Sequence, residues 1–291
     1  MANPMSLAKI LLCLDTDPQP SVFDAVVAVD AGVDQLLRHS AVTPDAVRNL
    51  VYGAMFTRGP ADLKNTAVFI GGTDVEAGEK LLKKAQDCFF GPMRVSLMLD
   101  SNGANTTAAA AVLSAAKHVS LAGATVTVLG ATGSVGRRVV RLLAREGAIV
   151  RVASRQLGRA KEVCETVGKL AISAQLVPYE TRDDASVREA VADAAVVIAA
   201  GAPGIELMSE AVRRECKQLK VAIDLNAVPP VGIGGIQPQD KAADHDGQIC
   251  YGAIGVGGLK MKLHKAAIRR LFDSNDLVLD ADEILGLGKT I

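Results

Sequence analysis

Short runs of apolar, β-branched residues alternate along this chain with stretches of helical spacing, and glycine or proline separates one from the next. Residues 9–14, 33–37, 66–70 and 95–99 read as strands, and residues 21–31, 43–51 and 74–88 as the helices between them. Ser21 is placed to cap the first helix, and Pro44 falls in the first turn of the second. A second series follows, with strands at 125–129, 148–153, 174–177, 195–200 and 221–225 and helices at 135–145, 155–167 and 185–192. Strand and helix in strict alternation predict parallel sheets. A last helical pattern occupies 254–272.

Between the two series lies a polar cluster with Asp100, Asn102, Asn105 and Thr107, which leads into an alanine-rich helix. The expectation is an α/β chain of two domains with a cleft between them. Residues 1–112 form the first, with a C-terminal helix (257–291) packing back on it, and residues 113–256 form the second. The first strand ends in Asp15, Thr16 and Asp17, and ligands of open α/β sheets lie at the carboxyl ends of the strands. For Asp100, Asn102 and Asn105, turn and capping chemistry stands beside substrate contact as the alternative.

The strand at 125–129 breaks at Gly130, and Gly133 and Gly136 follow at intervals of three before the next helix begins. A sharp turn, a backbone bare enough for a pyrophosphate to approach, and close packing of helix on strand each require a glycine here. Thr132, Ser134 and Val135 complete the turn, whose N–H groups would face phosphate oxygens. These features predict a Rossmann-like second domain. Ala131 stands where the commoner fingerprint has its first glycine. The next strand ends in Ser154 and Arg155, with Arg159 close behind and no acidic residue there to bind a ribose 2′-hydroxyl. A hydroxyl and guanidinium groups suit a 2′-phosphate, so NADP is expected, with NAD possible; an exposed strand-end charge is the alternative for Arg155. Ala200, Gly201, Asn226 and Val228, after the fourth and fifth strands of this series, are candidates for the nicotinamide end. Lys260 and His264 share one face of the last helix, as a site pair or as part of a solvated stripe.

Composition narrows the partners. The 291 residues carry 32 basic and 32 acidic side chains, with no long run of one sign, which argues against nucleic acid and acidic membrane surfaces. Five scattered cysteines without a C-x-x-C pair argue against a disulfide framework or a zinc site and point to a reducing cytoplasm. No apolar run reaches the length of a membrane span, and no signal-peptide pattern opens the chain. No metal site is expected.

Four separated motifs carry a family resemblance. Residues 15–24 (DTDPQPSVFD), 90–110 (FGPMRVSLMLDSNGANTTAAA), 224–235 (DLNAVPPVGIGG) and 252–264 (GAIGVGGLKMKLH) resemble the bacterial NAD(P)-dependent methylene-tetrahydromethanopterin dehydrogenases. That resemblance implies hydride transfer from the methylene bridge of a reduced pterin to the dinucleotide. It places the family's substrate lysine on Lys260, with Asp15, Asp17 and Asn102 orienting the pterin and Thr16, Asp100, Asn105, Thr107 and His264 as further contacts. It also implies a homo-oligomer, with a trimer as one form. A methylene-tetrahydrofolate dehydrogenase, with or without cyclohydrolase activity, is the neighbouring alternative, and a non-enzymatic NADP sensor on the same fold is the remote one.

Overall fold

The computed structural model describes residues 7–171 and 173–291. These divide into two compact units, residues 7–106 with 261–291 and the described residues between 107 and 260. The expected boundaries at 112 and 256 lie a few residues from the divisions, which fall inside two long helices.

The first unit is built on a five-stranded, fully parallel sheet. Strands β1 (Ile10–Asp15), β2 (Gln35–His39), β3 (Thr66–Gly71) and β4 (Ser96–Leu99) alternate with helices α1 (Val22–Asp30), α2 (Pro44–Met55) and α3 (Val75–Gln86). Ser21 caps α1 as expected, its hydroxyl accepting from the Asp24 N–H. The core lies under α2 and α3, where Leu12, Leu14, Val68, Ile70, Leu97 and Leu99 meet Val47, Val51 and Leu81. A fifth strand, β12 (Val278–Leu279), pairs with β4 and completes the order β12-β4-β3-β1-β2. The expected C-terminal helix over 257–291 is therefore three elements: α9 (Ala253–Arg270), β12 and α10 (Ala281–Gly288). The interruption has a local cause, since Asp280 and Glu283 form a reciprocal capping box that starts α10 afresh.

The second unit carries a seven-stranded sheet. β5 (Thr125–Leu129), β6 (Ile149–Ser154), β7 (Gln175–Glu180), β8 (Val196–Ala199), β9 (Val221–Asp224) and β11 (Gln248–Tyr251) run parallel, and β10 (Lys241–His245) is antiparallel at one edge. Its order is β10-β11-β9-β8-β5-β6-β7, so the parallel strands adopt the doubly wound arrangement of dinucleotide-binding domains. Helices α4 (Ala104–Ala116), α5 (Ser134–Arg145), α6 (Leu157–Leu170), α7 (Asp184–Val191) and the short α8 (Glu210–Glu215) connect these strands or lead into them. The β10–β11 hairpin was not anticipated, although its signal is present: Asp246 and Gly247, at φ 60° and 81°, form a two-residue turn of the kind that Asp-Gly favours. Among the described residues no helix is long and apolar enough to cross a membrane, and no group of three or more His, Cys, Asp or Glu side chains gathers as a metal site.

One buried cation secures that hairpin. Arg213, 1% exposed, donates to Gln248 Oε1 (2.6 Å), Asp246 Oδ2 (3.1 Å) and the Gly234 carbonyl (3.3 Å). Arg213→Ala leaves Gln248 Oε1 and the Gly234 carbonyl without this donor, while Asp246 keeps Arg214, and we expect it to cost about 3 kcal/mol in denaturant unfolding. Hydrogen bonds from Arg213, then Arg214, hold the Asp246 carboxyl below the usual carboxylate range. The stability this contributes is present above the ordinary aspartate value and lost as pH falls through the depressed one. The variant should therefore show a shallower acid limb than the parent protein.

Candidate functional site

The turn after β5 is shaped by what it cannot accommodate. Gly130 has φ +68°, and a Cβ there would lie 2.7 Å from the Cα and N of Gly201, in the loop after β8. At Gly136 a Cβ would meet the Gly130 carbonyl at 2.6 Å and Ala131 Cα at 2.8 Å. These contacts are with backbone, which cannot swing aside. Gly133 differs: its nearest neighbour would be 3.6 Å away, so the protein itself leaves that face open. It is the N-cap of α5 and provides no side-chain cap, so the first N–H groups of a 12-residue helix receive no capping side chain from it. A helix start of this kind suits an anion. The departure at Ala131 is harmless, because its N–H donates to the Ala153 carbonyl (3.0 Å) and its methyl is fully buried. Thr132 and Ser134 flank the opening, and Val135 is half-buried behind it.

At the carboxyl end of β6 the structure opens a cavity of about 460 Å³ lined by Thr132, Ser154, Arg155, Gln156, Arg159 and Arg182. No carboxylate lines it, and among the described residues neither Arg155 nor Arg159 is engaged by one. The Ser154 hydroxyl accepts from the Gln156 N–H (3.3 Å), which fixes its place on the cavity wall. Three guanidinium groups and a hydroxyl suit a phosphate monoester, with its charge near −2. Arg182 was not foreseen. Reading β7 as ending at 177 left it out of range, whereas the strand runs on through Glu180.

At the other end of the strand row, Ala200 and Gly201 are half-buried after β8, and Gly201 packs against Leu207. The Asn226 amide is committed within its own loop: Nδ2 donates to the Pro230 carbonyl (3.0 Å) and Oδ1 accepts from the Val228 N–H (2.8 Å). Val228 is half exposed and Asn226 buried, so the expected direct contact from Asn226 becomes support for the loop that presents Val228. Asp224 anchors the same loop through the N–H groups of Asn226, Gly232 and Ile233 (2.7–3.1 Å). Burial pushes its carboxyl upward, and those three bonds pull the other way.

In the first unit the strand order reverses between β1 and β3, and the polar residues gather at the carboxyl ends of those strands. Asp15 is buried and accepts from the N–H groups of Asp17 (2.8 Å) and Ser21 (2.9 Å). Asp17 accepts from the N–H (3.1 Å) and hydroxyl (2.9 Å) of Thr73. The Thr16 side chain rests on Gly72. Asp100 accepts from the N–H groups of Asn105 and Thr106 (3.0 Å) and from the Thr106 hydroxyl (2.7 Å), while Asn105 donates to Asp280 (2.9 Å). His264 is fully buried, stacked on Phe69 at 5.5 Å, with Nδ1 3.9 Å from Asp100.

Asp15, Asp100, Asn105 and His264 thus turn inward. These four side chains, expected to contact substrate, are buried among groups of the first unit itself. Asn102 is exposed in a left-handed conformation (φ 54°), its N–H donating to the Gly72 carbonyl (2.7 Å). Thr107 is half-buried in α4. Lys260 is half-buried on α9, one turn before His264 on the same face.

The sheet order, the bare helix terminus and the cationic cavity define a protein of the dinucleotide-binding dehydrogenase class. A family profile described as methylene-tetrahydromethanopterin dehydrogenase, N-terminal, matches residues 22–102, and one described as NmrA-like family matches residues 123–223. The bifunctional protein MdtA of Methylorubrum extorquens is 46% identical over 283 residues, which cover 97% of this chain and 98% of that protein. The NAD(P)-dependent methylenetetrahydromethanopterin dehydrogenase of the same organism is 29% identical over 270 residues, 89% of this chain and 91% of that protein. Shikimate 5-dehydrogenase from Listeria monocytogenes, solved with shikimate and NAD, shares the fold at a TM-score of 0.56 and 14% identity, with 96% of each chain covered. The chain belongs to the methylene-tetrahydromethanopterin dehydrogenase family, as its four motifs suggested.

The turn geometry gives a direct test. Gly136→Ala forces a methyl onto the backbone of its own turn, and we expect a loss of about 2 kcal/mol in thermal unfolding together with loss of dinucleotide binding measured by calorimetry.

Proposed function

We propose that this protein is an NADP-dependent dehydrogenase that oxidises the methylene bridge of N5,N10-methylene-tetrahydromethanopterin to the methenyl form. The observation that carries the reading is the arginine-lined cavity at the end of β6 in a chain of this family. Gly130, Gly133 and Gly136 hold the pyrophosphate against the start of α5; Ser154, Arg155 and Arg159 take the 2′-phosphate; Ala200, Gly201 and the loop around Val228 border the nicotinamide.

When bound, the nicotinamide supplies a hydride acceptor. The C–H bond of the bridge breaks with both electrons leaving, and the resulting cation is shared by the two flanking nitrogens. No proton needs removing, so the protein's task is positioning, where an error of about 1 Å can cost roughly a hundredfold in rate. Asp17, Asn102 and Lys260 are proposed to orient the pterin, with Asp15, Asp100 and His264 holding the loops. The relative at 46% identity is named bifunctional, which favours a second activity. We propose methylene-tetrahydrofolate as its carrier, because the reacting N–CH₂–N unit is common to both pterins. A cytoplasmic homo-oligomer, trimeric as the family resemblance implied, completes the reading.

Reduction of NADP and NAD followed side by side with each methylene carrier tests this. Methenyl absorbance rising one for one with NADPH supports the dehydrogenase. Its disappearance would reveal a cyclohydrolase, and NADP binding without pterin-dependent reduction would reveal a sensor. Lys260→Ala should lower kcat/KM for the methylene pterin by at least about tenfold, ~1.4 kcal/mol of transition-state stabilisation, with the Kd for NADP unchanged. Arg155→Ala should raise the KM for NADP by about tenfold or more, the loss of a charge-assisted hydrogen bond of ~1.5–3 kcal/mol, and leave the KM for NAD within about twofold.

A further inference from the structure

Strands β6 and β7 pair with Ser154 opposite Glu180, and the ladder runs one residue further, the Thr181 N–H donating to the Ser154 carbonyl (2.9 Å). Arg182 therefore leaves the sheet beside Arg155 and lines the same cavity, from the neighbouring strand. Its guanidinium is 2.9 Å from Glu180 Oε1, and that oxygen also accepts from the Leu157 N–H at 3.3 Å, at the start of the 14-residue helix α6. Glu180 thus faces two positive groups, a guanidinium and a helix N-terminus. The Glu180 side chain is 34% exposed and held by a second bond, from the Leu157 N–H, whereas that of Arg182 is 68% exposed.

A surface ion pair taken alone is worth little. The Arg182 half of this one lines a cavity with two further arginines, and the Glu180 carboxylate, just behind the lining, moderates the charge that an incoming ribose meets. Resting on Glu180, Arg182 is neutralised, and a ribose with a free 2′-hydroxyl enters without a third uncompensated cation beside it. A 2′-phosphate recruits the guanidinium's spare N–H donors but also lies close to a carboxylate that repels it. We infer that Arg182, restrained by Glu180, tunes how strongly this cavity prefers a 2′-phosphorylated dinucleotide over the dephosphorylated form. The inference rests on the dinucleotide reading above and assigns the pair a part in specificity, not in hydride transfer.

The test is binding, measured by calorimetry on the full chain with two fragments, 2′,5′-ADP and 5′-AMP. Arg182→Ala should weaken 2′,5′-ADP about tenfold and leave 5′-AMP within about twofold. Arg182→Lys should recover part of that loss. Glu180→Gln, which keeps an acceptor for the Leu157 N–H, should tighten 2′,5′-ADP about threefold, and should do so much less when combined with Arg182→Ala. Thermal unfolding of each variant separates a folding defect, which would weaken both fragments together. Preference for 2′,5′-ADP that is undiminished in Arg182→Ala, or equal losses for both fragments in a folded variant, would overturn the inference alone. A parent protein that binds neither fragment would overturn the dinucleotide reading, and the inference with it.

Discussion

The second unit depends on a contact between two pieces of backbone. Gly130, in the left-handed region at φ +68°, lies so close to Gly201 that any side chain would collide with main-chain atoms, and Gly136 closes on the Gly130 carbonyl from the other side. The loops after the central strands β5 and β8 are fastened together there, where the strand order reverses. Non-glycine residues at such φ values cost on the order of 1–3 kcal/mol before any collision is counted. The N-terminus of α5 consequently has one position relative to the sheet, and its N–H groups are aimed before a ligand arrives. Preorganisation of this kind is what a transfer limited by positioning requires.

A second device recurs in both units. Asp15 ends β1, Asp100 follows β4 and Asp224 ends β9, and each buried carboxylate accepts two or three N–H groups from the segment beyond its strand, a loop for Asp15 and Asp224 and the first turn of α4 for Asp100. Loops at the carboxyl ends of parallel strands leave the sheet with unpaired donors, and an aspartate at the strand end satisfies several at once. The loop is rigid as a result, and the carboxylate is spent. In these places the carboxylates are engaged by backbone N–H groups, which for Asp100 is the capping chemistry the sequence offered as an alternative, while Asn102 and Val228 nearby are exposed.

The sequence was legible where one local rule acts alone. The β-branched run at 125–129 is strand β5 to the residue, and the steric roles of Gly130 and Gly136 followed from their spacing. Legibility failed where tertiary context overrides the rule. The strand expected to end at 177 continues through Pro178 to Glu180, because β7 is an edge strand paired only with β6, and an edge tolerates a missing N–H. That single misplacement hid Glu180 and Arg182. Strand β2 is displaced because Val33, a buried apolar residue, lies before the strand, while the strand itself is largely exposed. Two-residue β12 carries no periodicity at all and exists because β4 offers it a partner.

These contrasts explain how the unit divides its labour. The groups that aim the helix terminus are backbone atoms at the centre of the sheet, locked by contacts on both sides, so substitution there damages fold and binding together. The groups facing the adenosine end are long side chains on the strand ends and helix start at the sheet margin, exposed and held by single ion pairs or none. Charge there can change while the core keeps its packing, since Arg182 and Glu180 contribute to no buried cluster. On the proposed reading, cofactor preference is set at the sheet margin, by the three guanidinium groups that line the cavity and the Glu180 carboxylate paired with one of them. With a net charge of +0 the chain has no net charge to steer an anionic dinucleotide, so on that reading local charge is what the dinucleotide meets.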